Sequence, residues 1–214
     1  LGYKAIVFTV DAPRLGTRER DERNSFKMPD HLTLGNFIGT KFEQFDKIED
    51  YDGSSMNLHS DHLFDPSLTF DIIPWIKAQS GLPVLVKGIL RPDDATQALN
   101  HGADGIIISN HGGRQLDTSV PTLKQIEPIR NTVGYEPLII VDGGIRRGTD
   151  ILKCIALGAD AVQIGRPLLW GLQYDGQKGV ELVLNILKSE FTEAMILSGC
   201  KNLSEITSDL VSKD

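Results

Sequence analysis

The stretch EPLIIVDGGIRRGTDILKCIALGADAVQIGRP, residues 136–167, decides the fold. It contains an apolar run (136–144), a glycine-rich loop, a helical segment from Thr149 to Leu157 that Gly158 closes, and a second apolar run (158–165). Continuous Val and Ile runs are typical of parallel strands that are covered on both faces. The stretch therefore predicts a β–α–β unit.

The same unit recurs towards the amino terminus. Three further strands are predicted at 4–10, 82–88 and 102–109, and HGADGIII repeats the pattern of LGADAVQI. Further helices are predicted at 66–80, from Pro92 to His101-Gly102, and at 179–197. In the last of these, helical spacing predicts a core made of Val183, Leu184, Leu187, Phe191 and Met195. The chain thus reads as an α/β protein with a repetitive parallel βα architecture.

Residues 20–70 interrupt the pattern. They are polar, carry many charges and are too long for an ordinary connection. We expect an excursion or lid over a site, within a single domain that spans 1–214.

Composition narrows the function. The net charge of −7 argues against a nucleic-acid partner, and no apolar run reaches the roughly 18–20 residues that cross a membrane. The two cysteines, Cys154 and Cys200, are expected to be reduced thiols, and no metal site is predicted.

Polar side chains follow every predicted strand. In (β/α)-barrels the functional groups lie at the carboxyl ends of the strands. The residues at those ends are Thr9 and Asp11, then Lys87, then Ser109, Asn110, His111 and Arg114, then Asp142, Gly143, Gly144 and Arg146, and finally Gly165 and Arg166.

Two of these ends predict a phosphate site. DGGIRRG and IGRP place glycines where a backbone approaches a ligand, and the helix that follows offers free N–H groups. Arg146 or Arg166 would add charge-assisted hydrogen bonds. The alternative is tight loop geometry with surface arginines.

A histidine and two arginines complete the candidate site. Asp11 could hydrogen-bond to His111 and make it a proton acceptor, although a lone histidine is as often structural. Arg18 and Arg114 could bind a carboxylate, although Arg18 lies in RERDER, which also fits a solvated charge cluster.

Five motifs carry a family resemblance. VDAPRLGTRERDERN (10–24), VLVKGI (84–89), SNHGGRQLD (109–117), DGGIRRGTD (142–150) and GRPLLWGL (165–172) together resemble the FMN-dependent α-hydroxy-acid oxidase/dehydrogenase family. The likeness is greatest to the eukaryotic hydroxyacid (glycolate) oxidases. It implies a (β/α)8 TIM barrel, of which this chain would supply strands four to eight and a C-terminal helix.

The resemblance also implies roles. His111 would be the base at the substrate α-carbon and Asp11 its partner, while Arg18 and Arg114 would hold the substrate carboxylate. The FMN contacts would be Thr9 and Ser109 at the ring, Lys87 at the flavin N1/O2 edge, Asp142 at the ribityl chain, and Gly143, Gly144, Ile145, Arg146, Gly165 and Arg166 at the phosphate.

The implied reaction is oxidation of an (S)-2-hydroxy acid, glycolate or longer, to the 2-oxo acid, with electrons passing to oxygen to give hydrogen peroxide. His111 could take its proton from the α-carbon or from the hydroxyl. The family implies a homotetramer in the peroxisome or cytoplasm, although Ser212-Lys213-Asp214 does not match the peroxisomal tripeptide.

Three strands and two active-site tyrosines of the family are missing from these residues. We therefore expect a fragment that binds FMN poorly and turns over slowly or not at all. Two other functions remain open: a different phosphate-binding barrel enzyme, such as an isomerase or an IMP-dehydrogenase-like protein, and a non-catalytic remnant.

Overall fold

The computed structural model describes residues 2–27, 29, 31–40 and 64–212. The chain divides into two compact units, Leu1–Asp11 with Thr69–Asp214, and Ala12–Leu68. The second unit contains helix α1 (Glu19–Arg23) and a 3-10 turn at Gly35–Phe37. The predicted excursion at 20–70 falls largely in this unit, and its residues 41–63 lie outside the described part. Its role as a lid stays a prediction.

The first unit is built on a five-stranded parallel sheet in the order β1-β2-β3-β4-β5. Its strands are β1 (Ile6–Thr9), β2 (Val84–Ile89), β3 (Gly105–Ile108), β4 (Leu138–Val141) and β5 (Ala161–Val162). The predicted strands and their parallel pairing are confirmed. The last strand is shorter than predicted, because beyond Val162 only Gln163 continues the ladder, donating its N–H to the Val141 carbonyl at 2.8 Å.

Helices connect the strands. They are α2 (Ile72–Ser80), α3 (Pro92–Asn100), α4 (Leu123–Val133), α5 (Gly148–Ala156) and α6 (Arg166–Leu197). Helix α2 begins later than the predicted 66. Helix α4 was not predicted, and it contains Pro128 in its interior. Among the described residues, no helix has the length and apolarity that a membrane span requires.

Helix α6 differs most from its prediction. It begins at Arg166 rather than 179, and its backbone breaks at Asp175 and Gly176. The two segments touch at Gly171 and Gly179, where a Cβ on Gly179 would lie 1.9 Å from the Gly171 carbonyl oxygen. In the second segment Leu187 is buried as predicted, but the core assignment of Leu184 is wrong, since 47% of it is exposed.

The core lies between the sheet and the helices. Alternate strand residues such as Val84, Val86, Ile106 and Ile108 are fully buried against helical side chains. Burying an aliphatic side chain of this size contributes roughly 1.5–3 kcal/mol. This packing fixes the strands and so fixes where their carboxyl ends lie.

The repeated Gly-Ala-Asp motif has one structural role. Asp104 exchanges two hydrogen bonds with Val84, from its own N–H to the Val84 carbonyl and from the Val84 N–H to Asp104 Oδ2, each 2.8 Å. Asp160 does the same with Ile139, at 2.8 and 2.7 Å. Each aspartate thus continues the ladder towards the amino end of the neighbouring strand.

Candidate active site

Side chains from three adjacent strands meet at the carboxyl edge of the sheet. Lys87 Nζ donates to Ser109 Oγ at 3.0 Å, and Ser109 Oγ donates to Asp142 Oδ1 at 2.7 Å. Lys87 Nζ also lies 3.4 Å from Asp142 Oδ2. Thr9 pairs in register with Lys87 at the end of β1. The structure therefore brings Thr9, Lys87, Ser109 and Asp142 to one edge.

His111 and Asp11 form a hydrogen-bonded pair across a gap of 100 residues. His111 Nδ1 lies 2.9 Å from Asp11 Oδ1, with 32% of the histidine side chain and 14% of the aspartate side chain exposed. A carboxylate only accepts hydrogen bonds, so Nδ1 carries the proton and Nε2 is left as a proton acceptor. His111 has a φ of +55°, and its N–H donates to Ser109 Oγ at 3.1 Å. Such left-handed backbone is unfavourable for a residue with a Cβ, and it is found at functional sites.

Gly88 makes room for Asp11. Its φ is +110°, and a Cβ there would lie 2.6 Å from the Asp11 Cβ and 2.9 Å from the Asp11 backbone nitrogen. Sequence reasoning did not identify Gly88 as a site residue. The signal was a glycine inside a strand, which often marks a close backbone approach.

A cavity of about 390 Å³ lies beside this network, and Gly143, Gly144, Ile145 and Arg166 contribute to its lining. The predicted loops after β4 and β5 therefore meet at one cavity. Gly143 and Gly144 have φ of +91° and +80°, and their N–H groups donate to no acceptor within the described residues. Asn110, which also lines the cavity, has a buried Oδ1 without a partner in the same part of the chain.

These unused groups fit a phosphate and a polyol. Backbone N–H groups in a glycine turn bind anions, and a buried acceptor suits a hydroxyl group. FMN carries both a phosphate and a ribityl chain, so the residues present fit the cofactor that the sequence predicted.

The sequence predicted free N–H groups at the start of α5, but three of them already have acceptors. The N–H groups of Arg146 and Arg147 both donate to Asp150 Oδ2, at 3.0 and 2.9 Å. The Gly148 N–H donates to Glu190 Oε2 at 2.8 Å, and this bond, with that from Arg147, lowers the pKa of Glu190. The carboxylates of Asp150 and Glu190 already accept from these N–H groups. The N–H groups of the glycine turn and the two arginine side chains are the donors that remain for a phosphate.

The two predicted phosphate arginines occupy different places. Arg166 lines the cavity and donates to the Gly112 carbonyl at 2.8 Å, which connects the start of α6 to the His111 loop. Gly165, just before it, is exposed. Arg146 is not among the residues that line the cavity, and its guanidinium lies over the Trp170 ring, 4.9 Å from the centroid. Sequence reasoning did not identify Trp170.

Arg18 and Arg114 belong to different units of the chain. Arg18 precedes α1 in the unit Ala12–Leu68, and Arg114 follows the 3-10 turn His111–Gly113 in the other. The carboxylate-binding pair therefore stays a prediction.

Cys154 also lines the cavity, and its burial, with the nearby Asp150 charge, raises the thiol pKa to about 12. The thiol is protonated at neutral pH, which argues against a cysteine nucleophile there. Among the described residues, no three His, Cys, Asp or Glu side chains gather as a metal site would require.

Comparison with known proteins adds to this geometry. The sequence pattern of the FMN-dependent dehydrogenase family matches residues 1–213. The chain is 48% identical over 213 residues to 2-hydroxyacid oxidase 1 of Mus musculus, covering 100% of this chain and 58% of that protein. It is 43% identical over 213 residues to glycolate oxidase of Spinacia oleracea, covering 100% of this chain and 57% of the spinach protein.

Solved structures agree with the fold. A mandelate oxidase with (S)-4-hydroxymandelic acid superposes with a TM-score of 0.89 at 42% identity, over 97% of this chain and 57% of that one. A mandelate oxidase variant with a C4a-OH-FMN adduct gives 0.81 at 40% identity, over 97% and 55%. The chain spans little more than half the length of the relatives it matches.

Proposed function

Because the chain belongs to the FMN-dependent dehydrogenase family, we propose that this protein oxidises an (S)-2-hydroxy acid to the 2-oxo acid and produces hydrogen peroxide. The observation that carries the proposal is the His111–Asp11 pair beside the Lys87–Ser109–Asp142 network. Relatives named for 2-hydroxyacid, glycolate and L-lactate oxidation support the substrate class, with glycolate or a longer acid as the substrate.

The proposed step removes two electrons and two protons from the substrate carbinol. Bound FMN would accept the two electrons and pass them to oxygen. His111 Nε2 would take one of the protons, from the α-carbon or from the hydroxyl, and the other proton would pass to FMN; both protons and both electrons would end in the hydrogen peroxide formed from oxygen. Asp11 would stabilise the imidazolium that results, because its carboxylate lies 2.9 Å from Nδ1.

The remaining residues would bind and orient. Arg114 and Arg18 would hold the substrate carboxylate, for which a planar guanidinium is suited. Lys87 would place positive charge at the flavin N1/O2 edge, and Thr9 and Ser109 would contact the ring. Asp142 would accept from the ribityl chain, while the phosphate would be bound by Gly143, Gly144, Ile145, Arg146, Gly165 and Arg166.

Two assays test the proposal: titration of the purified chain with FMN, followed by flavin fluorescence, and peroxide formation from glycolate and L-lactate. We expect weak but saturable FMN binding and slow peroxide formation with at least one acid. His111→Gln should lower peroxide formation roughly 100- to 10,000-fold while FMN still binds. His101→Gln is the matched control, because His101 also faces an aspartate, Asp71 at 3.3 Å, but lies at the end of α3.

A second candidate is a family member that binds FMN without turnover. It is compatible with the described sheet, in which β1 and β5 each pair on one side only. FMN binding without peroxide would support this candidate, and absence of FMN binding would contradict both.

Location and assembly are also proposals. The peroxisome is supported by an Arabidopsis thaliana relative named as a peroxisomal (S)-2-hydroxyacid oxidase, with the cytoplasm as the alternative. We propose a homotetramer, which sedimentation analysis would test. We also propose that the excursion at 20–70 acts as a lid over the site.

A further inference from the structure

We propose that Trp170 is a positioning residue for Arg146 and thereby for binding of the FMN phosphate. The inference rests on the proposed FMN function. The Arg146 guanidinium carbon lies 4.9 Å from the centroid of the Trp170 indole, within the range of a cation–π contact.

The contact joins the two loops that the phosphate requires. Arg146 ends the DGGIR turn after β4, and Trp170 lies one turn into α6, which begins at Arg166. The glycine turn and Arg166 line the same cavity. A contact between Arg146 and Trp170 therefore constrains the distance between the two sides of the proposed phosphate site.

Stacking also leaves the donors of Arg146 available. A cation–π contact draws on the positive charge and needs no hydrogen-bond acceptor on the ring. Within the described residues, the only side-chain hydrogen bond of Arg146 runs from one terminal nitrogen to the Ile145 carbonyl at 3.2 Å. The other N–H groups are free to bind an oxyanion.

Apart from the hydrogen bond to the Ile145 carbonyl, the indole is the one side-chain contact of Arg146 in the described chain. The side chain is exposed. Of the two acids four residues away, Asp150 accepts from the Arg146 backbone N–H and Asp142 accepts from Ser109 Oγ. An exposed arginine samples many rotamers unless packing restricts them. The indole ring supplies that restriction.

The test compares FMN with riboflavin, which has the same ring and ribityl chain but no phosphate. Dissociation constants for both would be measured by fluorescence titration with wild type, Trp170→Leu and Trp170→Phe. We expect Trp170→Leu to weaken FMN binding roughly two- to fivefold and to leave riboflavin binding unchanged. Trp170→Phe should retain most of the FMN affinity, because phenylalanine still offers a ring face.

Two controls separate positioning from general stability. Trp75→Leu removes the other tryptophan, which is 59% exposed against 57% for Trp170 but lies on α2, and it should change neither constant. In an Arg146→Gln background, Trp170→Leu should have no further effect on FMN binding, since coupled residues are not additive.

The outcomes are distinct. If wild type binds neither ligand, the proposed function fails. If wild type prefers FMN and Trp170→Leu changes FMN and riboflavin binding equally, tightens FMN or changes nothing, the positioning role is overturned while the function stands. Additive effects of the Arg146 and Trp170 substitutions would overturn it as well.

Discussion

The two edges of the sheet use aspartates in opposite ways. At the amino edge, the carboxylates of Asp104 and Asp160 each accept a hydrogen bond from a backbone N–H of the neighbouring strand. Each also pairs with one basic side chain. At the carboxyl edge, Asp11 and Asp142 face side chains, and Asp11 Oδ2 is buried without a partner in the described chain. The saturated edge stabilises the fold, and the unsaturated edge keeps hydrogen-bonding capacity for a ligand.

The amino edge itself contains two versions of one bridge. Lys77 reaches Asp104 from α2 with 36% of its side chain exposed, whereas Arg130 reaches Asp160 from α4 with 2% exposed. Arg130 also donates to the carbonyls of Gly158, Gly134 and Pro137, at 2.7 to 3.1 Å. Arg130 therefore makes more hydrogen bonds than Lys77, and its removal should cost more stability.

Arg130→Met should cause the largest loss of stability. It leaves the three carbonyls without this donor, and each acceptor that stays unsatisfied costs roughly 1–3 kcal/mol. The Asp160 carboxylate is 46% exposed and keeps the Ile139 N–H, so it adds little to the loss. Denaturant unfolding followed by circular dichroism measures the change. Arg130→Lys keeps the charge but not the fork, so its loss should lie between wild type and Arg130→Met. A loss below about 1 kcal/mol for Arg130→Met would place this bridge in the same class as a surface ion pair.

Gly88→Ala should come next and should disturb the carboxyl edge. A residue with a Cβ at φ of +110° carries strain of roughly 1–3 kcal/mol, and the new atom would overlap Asp11. We expect weaker protection of the His111 Nδ1 proton from exchange, measured by NMR, as well as lower stability.

Gly102→Ala is the matched control for Gly88. Its φ is +93°, but a Cβ there meets nothing within 4 Å. It should lower stability by strain alone and leave the His111 resonances unchanged. Equal effects of the two substitutions on His111 would show that Gly88 does not position Asp11.

Lys77→Met should have a smaller effect, of about 0–1 kcal/mol, because the pair is exposed. Burial raises the pKa of Asp104, but hydrogen bonds from Lys77 and the Val84 N–H outweigh it and hold the pKa below its ordinary value. A depressed carboxyl pKa stabilises the fold above the unfolded value and loses that effect as pH falls through the folded value. The difference between Lys77→Met and wild type should therefore be present at neutral pH and vanish in acid. A difference that grows as pH falls would contradict this assignment.

Particular residues show what sequence could predict. The Val and Ile runs and the repeated Gly-Ala-Asp motif predicted the parallel strands, because these patterns are local. The aspartate of each motif makes the same pair of hydrogen bonds to the neighbouring strand. Pro128 is typical of a helix end, so local patterns argue against a helix at α4. The helix forms because an interior proline removes one helical hydrogen bond and packing stabilises the others.

Long-range partners were not predictable from one sequence. Glu190, 42 residues from Gly148, occupies the N–H that an anion was expected to bind. The contact of Trp170 with Arg146 leaves no local motif. Gly88 has a local signal, a glycine inside a strand, but that signal does not identify Asp11 as the residue it faces. The polar residues at strand ends were predictable because parallel strands bring successive carboxyl ends to one edge.

Asp11→Asn should have the smallest effect on stability of these substitutions, but it should strongly lower peroxide formation. This result would show that the carboxyl edge serves the reaction and the amino edge serves the fold. The Asp11 carboxylate bonds to a side chain rather than to a strand, so we expect a stability change within about 0.5 kcal/mol. An amide can accept from Nδ1–H or donate to bare Nδ1, so His111 should lose its single tautomer, as imidazole ¹⁵N shifts would report. Peroxide formation should fall roughly 100- to 10,000-fold, because the imidazolium loses its counter-charge.

Asp160→Asn, at the other edge, should lower stability without changing the His111 tautomer. If Asp11→Asn instead unfolds the chain while Asp160→Asn does not, the carboxyl edge carries the stability that we assign to the amino edge.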